Sequence, residues 1–192
     1  MNNYRLILAS NSPRRRELLA GLGIPFDVRL LSGVDESYPP ELKGGDIPYY
    51  ISRMKAEAYR ASLKTDELLI TADTIVWLDG QVLGKPRDDG QARQMLSMLA
   101  GNTHQVYTGV TLTTVDKQVS FSCRSDVTFA QLTAEEIEHY VASFHPLDKA
   151  GAYGIQEWIG YIGVESITGS FYNVMGLPIQ RVYKALKQHF HF

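Results

Sequence analysis

Four places in this chain carry residues able to do chemistry. The first is Ser10-Asn11-Ser12-Pro13-Arg14-Arg15-Arg16. Ser12 is a natural helix N-cap and Pro13 suits the first helical position. Three arginines then fall in the first turn, where the helix dipole is already positive, and each costs about 0.3–1 kcal/mol there. An anion would relieve the conflict, taking the free N–H groups, the serine hydroxyl and the guanidinium charge, and phosphate is the first candidate. A solvated basic helix end, with Arg16 paired to a surface carboxylate, explains the same residues equally well. The second place is Asp73, which follows Leu68-Leu69-Ile70-Thr71-Ala72. A carboxylate there is costly unless paired, and open α/β sheets bind ligands at the carboxyl ends of their strands. Asp73 therefore reads as a general base or metal ligand, or as a structural aspartate capping a turn through Thr74. Lys55, on the polar face of a helix, and Lys85, in a Gly-Lys-Pro turn, complete the set. Taken singly, each lysine reads as a surface residue.

The elements that must position these groups follow from periodicity and punctuation. Leu6 to Ala9 predicts a short buried strand, and Pro13 to about Leu22 a helix that Gly23 stops. Phe26 to Leu31 reads as a strand, with Asp35 and Glu36 just beyond its end. A loop spans Tyr38 to Gly45. Asp46 opens a helix to about Leu63 with an apolar stripe of Ile51, Met54, Ala58 and Ala61. Leu68 to Ala72 reads as a central strand, interrupted at Asp73 and Thr74 before Ile75 to Leu78 resumes. Asp79-Gly80 is a two-residue hairpin turn into Gln81 to Leu83. A helix from Asp89 to Leu99 is ended by Gly101, and Gln105 to Thr114 pairs with Val119 to Phe129 through Asp116-Lys117. Thr133 and Glu136 form a capping box for a helix to about Ser143, which His145-Pro146 breaks. Asp148 to Gln156 reads as a loop or bulged edge, Tyr161 to Ile167 as a strand, and Gly176-Leu177-Pro178 introduces a last helix with Val182 and Leu186 inward. Helices alternating with strands give an α/β class with a long central hairpin.

Composition excludes several functions. At 192 residues, 44% hydrophobic and 21% charged, the chain fits one domain or two small lobes. A net charge of −2 argues against broad nucleic-acid or membrane attraction. The single Cys123 allows no internal disulfide and points to a reducing cytoplasm. No long apolar segment suggests a signal peptide or membrane span. The Gly80 to Pro86 stretch fails as a phosphate loop, having short glycine spacing and proline where Ser or Thr must meet magnesium. Gly21-Leu22-Gly23 ends a helix, so it is no dinucleotide fingerprint. The five histidines form no ligand pattern, and Asp148-Lys149 reads as a local ion pair.

Several segments together resemble the Maf family of nucleoside triphosphate pyrophosphatases. They are Leu8-Ala9-Ser10, Ser12-Pro13-Arg14-Arg15, Glu17-Leu18-Leu19, Lys55-Ala56, Ala72-Asp73-Thr74-Ile75-Val76, Gly84-Lys85-Pro86-Arg87-Asp88, Asp148 to Gln156, and Gly169-Ser170 through Asn173-Val174 to Gly176-Leu177-Pro178. The resemblance implies one α/β domain over residues 1–192, an inosine-triphosphatase-like mixed twisted sheet flanked by helices, with two lobes around a central cleft, commonly as a homodimer. It also implies hydrolysis of a nucleoside triphosphate to the monophosphate and pyrophosphate with a divalent cation, magnesium or manganese. By motif, Asp73 is the proton acceptor, acting with Lys55 and Lys85. Arg14, Thr74 and Gln156 select substrate, Ser12 and Arg15 face phosphate, and Asp73 with Glu36 gives hard oxygen ligands for the metal. The late loop resembles the branch acting on dTTP and UTP, and an amide at Gln156 suits the imide edge of uracil or thymine. Purine, methylated or other modified nucleotides, and a regulator of septum formation, are the alternatives. After Gln156 the chain departs from the family's small residues with Glu157-Trp158-Ile159-Gly160, a bulky acidic insert expected beside the base pocket.

Overall fold

The structure, a computed structural model, describes residues 4–192. Seven strands make one mixed sheet: β1 (Arg5–Leu8), β2 (Phe26–Val28), β3 (Glu67–Leu78), β4 (Gln81–Leu83), β5 (Thr103–Thr113), β6 (Gln118–Phe129) and β7 (Val164–Thr168). Their order is β2-β1-β3-β5-β6-β7, with β4 on β3. β1 runs parallel to both β2 and β3. Leu6, Ile7, Leu8, Leu68, Leu69 and Ile70 are all fully buried, as parallel strands covered on both faces require. No helix among the described residues is long and apolar enough to cross a membrane.

The chain divides into two compact units, with boundaries inside β3 at Asp73, inside β5 at Thr108 and inside β6 at Cys123. The first unit holds α1 (Pro13–Ala20), α2 (Asp46–Tyr59) and, at its end, a helix over Ile179–Phe190. The side of α2 that packs inward is Ile47, Ile51, Ser52, Ala56 and Tyr59, whereas Met54 is exposed. This face is rotated from the expected stripe of Ile51, Met54, Ala58 and Ala61, because Ser52 joins the packed side. It is buried because its hydroxyl bonds Tyr49 O at 2.9 Å and Thr111 Oγ1 at 3.0 Å. Gly109 of β5 lets α2 approach: a Cβ there would lie 2.1 Å from Pro48 O. At the start of β3 the fully buried Glu67 carboxylate meets Arg29 at 2.5 and 2.9 Å and Arg5 at 2.7 Å.

The second unit contains α3 (Asp89–Leu99), α4 (Ala134–Phe144), α5 (Trp158–Gly163) and α6 (Phe171–Val174), and the helix over Ile179–Phe190 is therefore α7. Asp79 and Gly80 take φ of 49° and 83°, the left-handed pair that the β3–β4 hairpin needs. The capping box of Thr133 and Glu136 is present, and α3 packs against α4. His104, Phe129 and Tyr153 form an aromatic cluster in edge-to-face contact.

Five boundaries differ from expectation. α1 stops at Ala20, with Gly23 beyond it at φ 69°. β2 is only three residues. β3 is not interrupted at Asp73 and Thr74, because the polar side chains find partners while the backbone keeps extended geometry. Trp158 to Gly163 is helical, so β7 begins at Val164 and not at Tyr161; a short apolar run has no decisive period. Finally, residues 151–155 are buried, and a short helical turn over Ala150–Ala152 leads into extended Tyr153, within a segment expected to be a polar loop or edge.

Candidate functional site

In the first unit the site grows from Lys55. Thr71 and Asp73 point to the same face of β3 by strand alternation, and Ser52 and Lys55 lie one turn apart on α2. Thr71 Oγ1 donates to Ser52 O at 2.7 Å, and Lys55 Nζ donates to Asp73 Oδ1 at 2.8 Å. The strand and helix are thus bonded twice along one line. Lys55 Nζ also meets Glu36 Oε1 at 2.9 Å. Two carboxylates therefore converge on one ammonium; Lys55 and Asp73 are 14% exposed and Glu36 is 56% exposed. Asp73 lies in mid-strand and not at a strand end, which removes the turn-capping reading.

The basic helix end folds partly as expected. Ser12 caps α1 by accepting from Arg15 N at 3.4 Å. Arg15 turns inward. It donates to Gly176 O at 2.8 Å, to Ala72 O at 3.0 Å and to Ser10 Oγ at 3.4 Å. Burial lowers its pKa, while Asp73 and Glu36 pull it back up. Arg15 thus fixes the strand residue just before Asp73 as well as contributing charge. Arg16 bonds Asn11 Oδ1 at 2.9 Å, an amide in place of the expected carboxylate. Arg14 lies in the first turn, partly buried.

In the second unit Gly151 meets β3 at Val76 and the backbone at Gly84, the segments that carry Thr74 and Lys85, and it lies in the loop that leads to Gln156. Val76 shares the face of Thr74 by alternation, and a Cβ on Gly151 would lie 2.8 Å from Val76 Cγ2. Gly151, at φ 68°, donates its N–H to Gly84 O at 3.0 Å, next to the exposed Lys85. Five residues on, Gln156 Oε1 is buried without a hydrogen-bond partner. A buried orphan acceptor costs about 1–3 kcal/mol, and an ordered water or a ligand donor would remove that cost.

The sequence reading missed the network below that loop. Lys149 Nζ does meet Asp148 Oδ1 at 2.7 Å, but it is buried and also reaches Glu157 Oε1 at 3.2 Å. Tyr140 on α4 donates its hydroxyl to Glu157 Oε2. Burial and that bond raise the Tyr140 pKa strongly. No local motif announces a partnership between residues 140, 149 and 157. Among the described residues no group of three or more His, Cys, Asp or Glu side chains could hold a metal alone.

A mixed α/β sheet carries a lysine-bridged carboxylate pair, with a capped arginine-rich helix start in the same unit, a set of groups of the kind that phosphate-bearing ligands use. A family model described as "Maf-like protein" matches residues 5–189, and the chain belongs to that family. It is 62% identical to a protein of Bacteroides thetaiotaomicron named dTTP/UTP pyrophosphatase, over 98% of this chain and 97% of the other. A protein of Phocaeicola vulgatus with the same name is 60% identical over the same shares. Among solved structures, a HAM1 protein from Coxiella burnetii is similar at TM-score 0.40 and 11% identity, covering 67% of this chain and 74% of that chain.

Proposed function

We propose that this chain hydrolyses dTTP and UTP to the nucleoside monophosphate and pyrophosphate. The reading is carried by Asp73, a largely buried mid-strand carboxylate bonded to Lys55, and the names of the close relatives support the choice of nucleotide. Water attacks the α-phosphorus, the bond to the bridging oxygen breaks, pyrophosphate leaves, and Asp73 takes the water's proton. Lys55, Lys85 and Arg14 supply positive charge where it is needed on phosphate oxygens. Ser12 and the α1 N-terminus offer hydroxyl and N–H donors, and Arg15 adds charge while holding Ala72 and Gly176. Thr74 and Gln156 select the base. The orphan Gln156 Oε1 would accept the imide N–H of uracil or thymine, and its amide N–H would donate to a ring carbonyl.

The residues present fit magnesium. Asp73 and Glu36 are hard oxygen donors converging on one cation, and two carboxylates suit an ion that keeps waters and shares substrate oxygens. Bound there, the ion or manganese in its place would withdraw charge from the phosphates and favour ionised water. We also read the protein as a cytoplasmic homodimer. The family resemblance supports the homodimer, and the single cysteine supports the cytoplasm.

Pure protein with magnesium, incubated with dTTP, UTP, dCTP, GTP and 7-methyl-GTP, should release pyrophosphate fastest from the first two, and chelation should stop it. Orthophosphate alone, no turnover, or a preference for 7-methyl-GTP would overturn the assignment.

A further inference from the structure

Gln156 sits in a four-residue turn over 154–157, and a second turn over 157–160 follows it directly. Glu157 N donates to Gly154 O at 2.9 Å, and Gly160 N to Glu157 O at 2.9 Å. The Glu157 side chain folds back over the same turn. One carboxylate oxygen accepts from Tyr140 OH, the other pairs with Lys149, and Tyr140 OH in turn accepts from Gly154 N at 3.0 Å. Two glycines permit these close approaches. A Cβ on Gly154 would lie 2.7 Å from Glu157 Cδ, and one on Gly160 would lie 1.8 Å from Ile155 O. The acid beside Gln156 therefore points into Tyr140 and Lys149, where its charge is paired.

We propose that Glu157 is a positioning residue for base selection: through Tyr140, Lys149 and the Gly154 N–H it holds the turn that presents the Gln156 amide to a pyrimidine imide edge. This rests on the function proposed above. The bland alternative is that Glu157 only steadies the start of α5. The two differ in what they move. An acid that merely stabilises α5 affects all nucleotides alike, whereas one that aims Gln156 changes the ratio between bases.

The test compares kcat and KM for dTTP and dCTP, which differ at the edge Gln156 would read, with melting temperature as a fold check. Glu157→Ala should lower the dTTP-over-dCTP preference about tenfold, the value of one misplaced hydrogen bond. The loss should fall on KM for dTTP, with kcat within about twofold of wild type. Glu157→Gln still accepts from Tyr140 and should restore most of the preference. Tyr140→Phe leaves the Glu157–Lys149 pair but unties Gly154, so it should lose preference too, and it decides the matter if Glu157→Ala does not fold. Combining Glu157→Ala with Gln156→Ala should discriminate no worse than Gln156→Ala alone, since one residue acts through the other. Equal losses for both nucleotides, additive losses in the double variant, or an unchanged ratio would overturn the proposal while leaving the function intact. A wild type that does not prefer dTTP would overturn both.

Discussion

Asp73, Arg14 and Arg15 illustrate how charged residues divide between proposed chemistry and scaffold. Asp73→Asn keeps the size and an acceptor for Lys55 but removes the proposed base. Turnover should fall by about 10²–10⁴-fold, while the melting temperature stays close to wild type; activity and thermal melts on one preparation check both. The two arginines should separate by the same pair of measurements. Arg14→Ala should cost substrate use about 1.5–3 kcal/mol, read from kcat/KM, with little change in stability. Arg15→Ala removes the donor shared by the carbonyls of Gly176 and Ala72 and by Ser10 Oγ. It should cost about 2–4 kcal/mol of stability, or about 5–15 °C in a chain of this size. An Arg14→Ala variant that melts as early as Arg15→Ala would count against the division.

Among the elements, the α2–β3 seam is what places Lys55 on Asp73. Ser52, Thr71 and Thr111 bond one another across it, so the register of helix on strand is set by polar contacts in an apolar surrounding. Gly109 sets its spacing. Gly109→Ala would push a methyl against the Pro48 carbonyl, which is backbone and has no rotamer to give. The expected loss is about 3 kcal/mol or more, visible in a denaturant titration. Turnover measured at low temperature on the folded fraction should fall as well, because α2 carries Lys55.

For the whole molecule, acid stability should be lost in two steps, one from each unit. Burial lowers the pKa of His104 from 6.5 to about 4, opposed by Asp126. The unfolded chain therefore binds this proton first, and stability is full above pH 6.5 and falls as pH drops toward 4, by on the order of 3 kcal/mol. Glu67 has its pKa lowered from 4.5 to about 2 by hydrogen bonds from Arg29, with Lys64 N–H and Arg5 adding to it against burial. Its contribution is present above pH 4.5 and disappears as pH falls toward 2. Denaturation midpoints at pH 7, 5, 4 and 3 should show both steps. His104→Gln should flatten the first and Glu67→Gln the second. A wild-type midpoint unchanged from pH 7 to 4 would refute the His104 assignment.

By itself the sequence determined those features that depend on neighbours along the chain. The Ser12 cap, the Asp79-Gly80 turn, the Thr133–Glu136 box and the bounds of α3 are local chemistry, and each stands as read. Asp73 and Lys55 were legible singly as candidate groups, but their pairing was not. Residues 36, 55 and 73 meet only because β3 and α2 pack in one register, and Ser52, polar by type, turned out to be part of the packed face. The unbroken course of β3 through Asp73, the inward turn of Arg15 and the folding-back of Glu157 were likewise decided by distant partners. Each of these side chains is costly to bury alone, and only the tertiary structure shows which partner removes the cost.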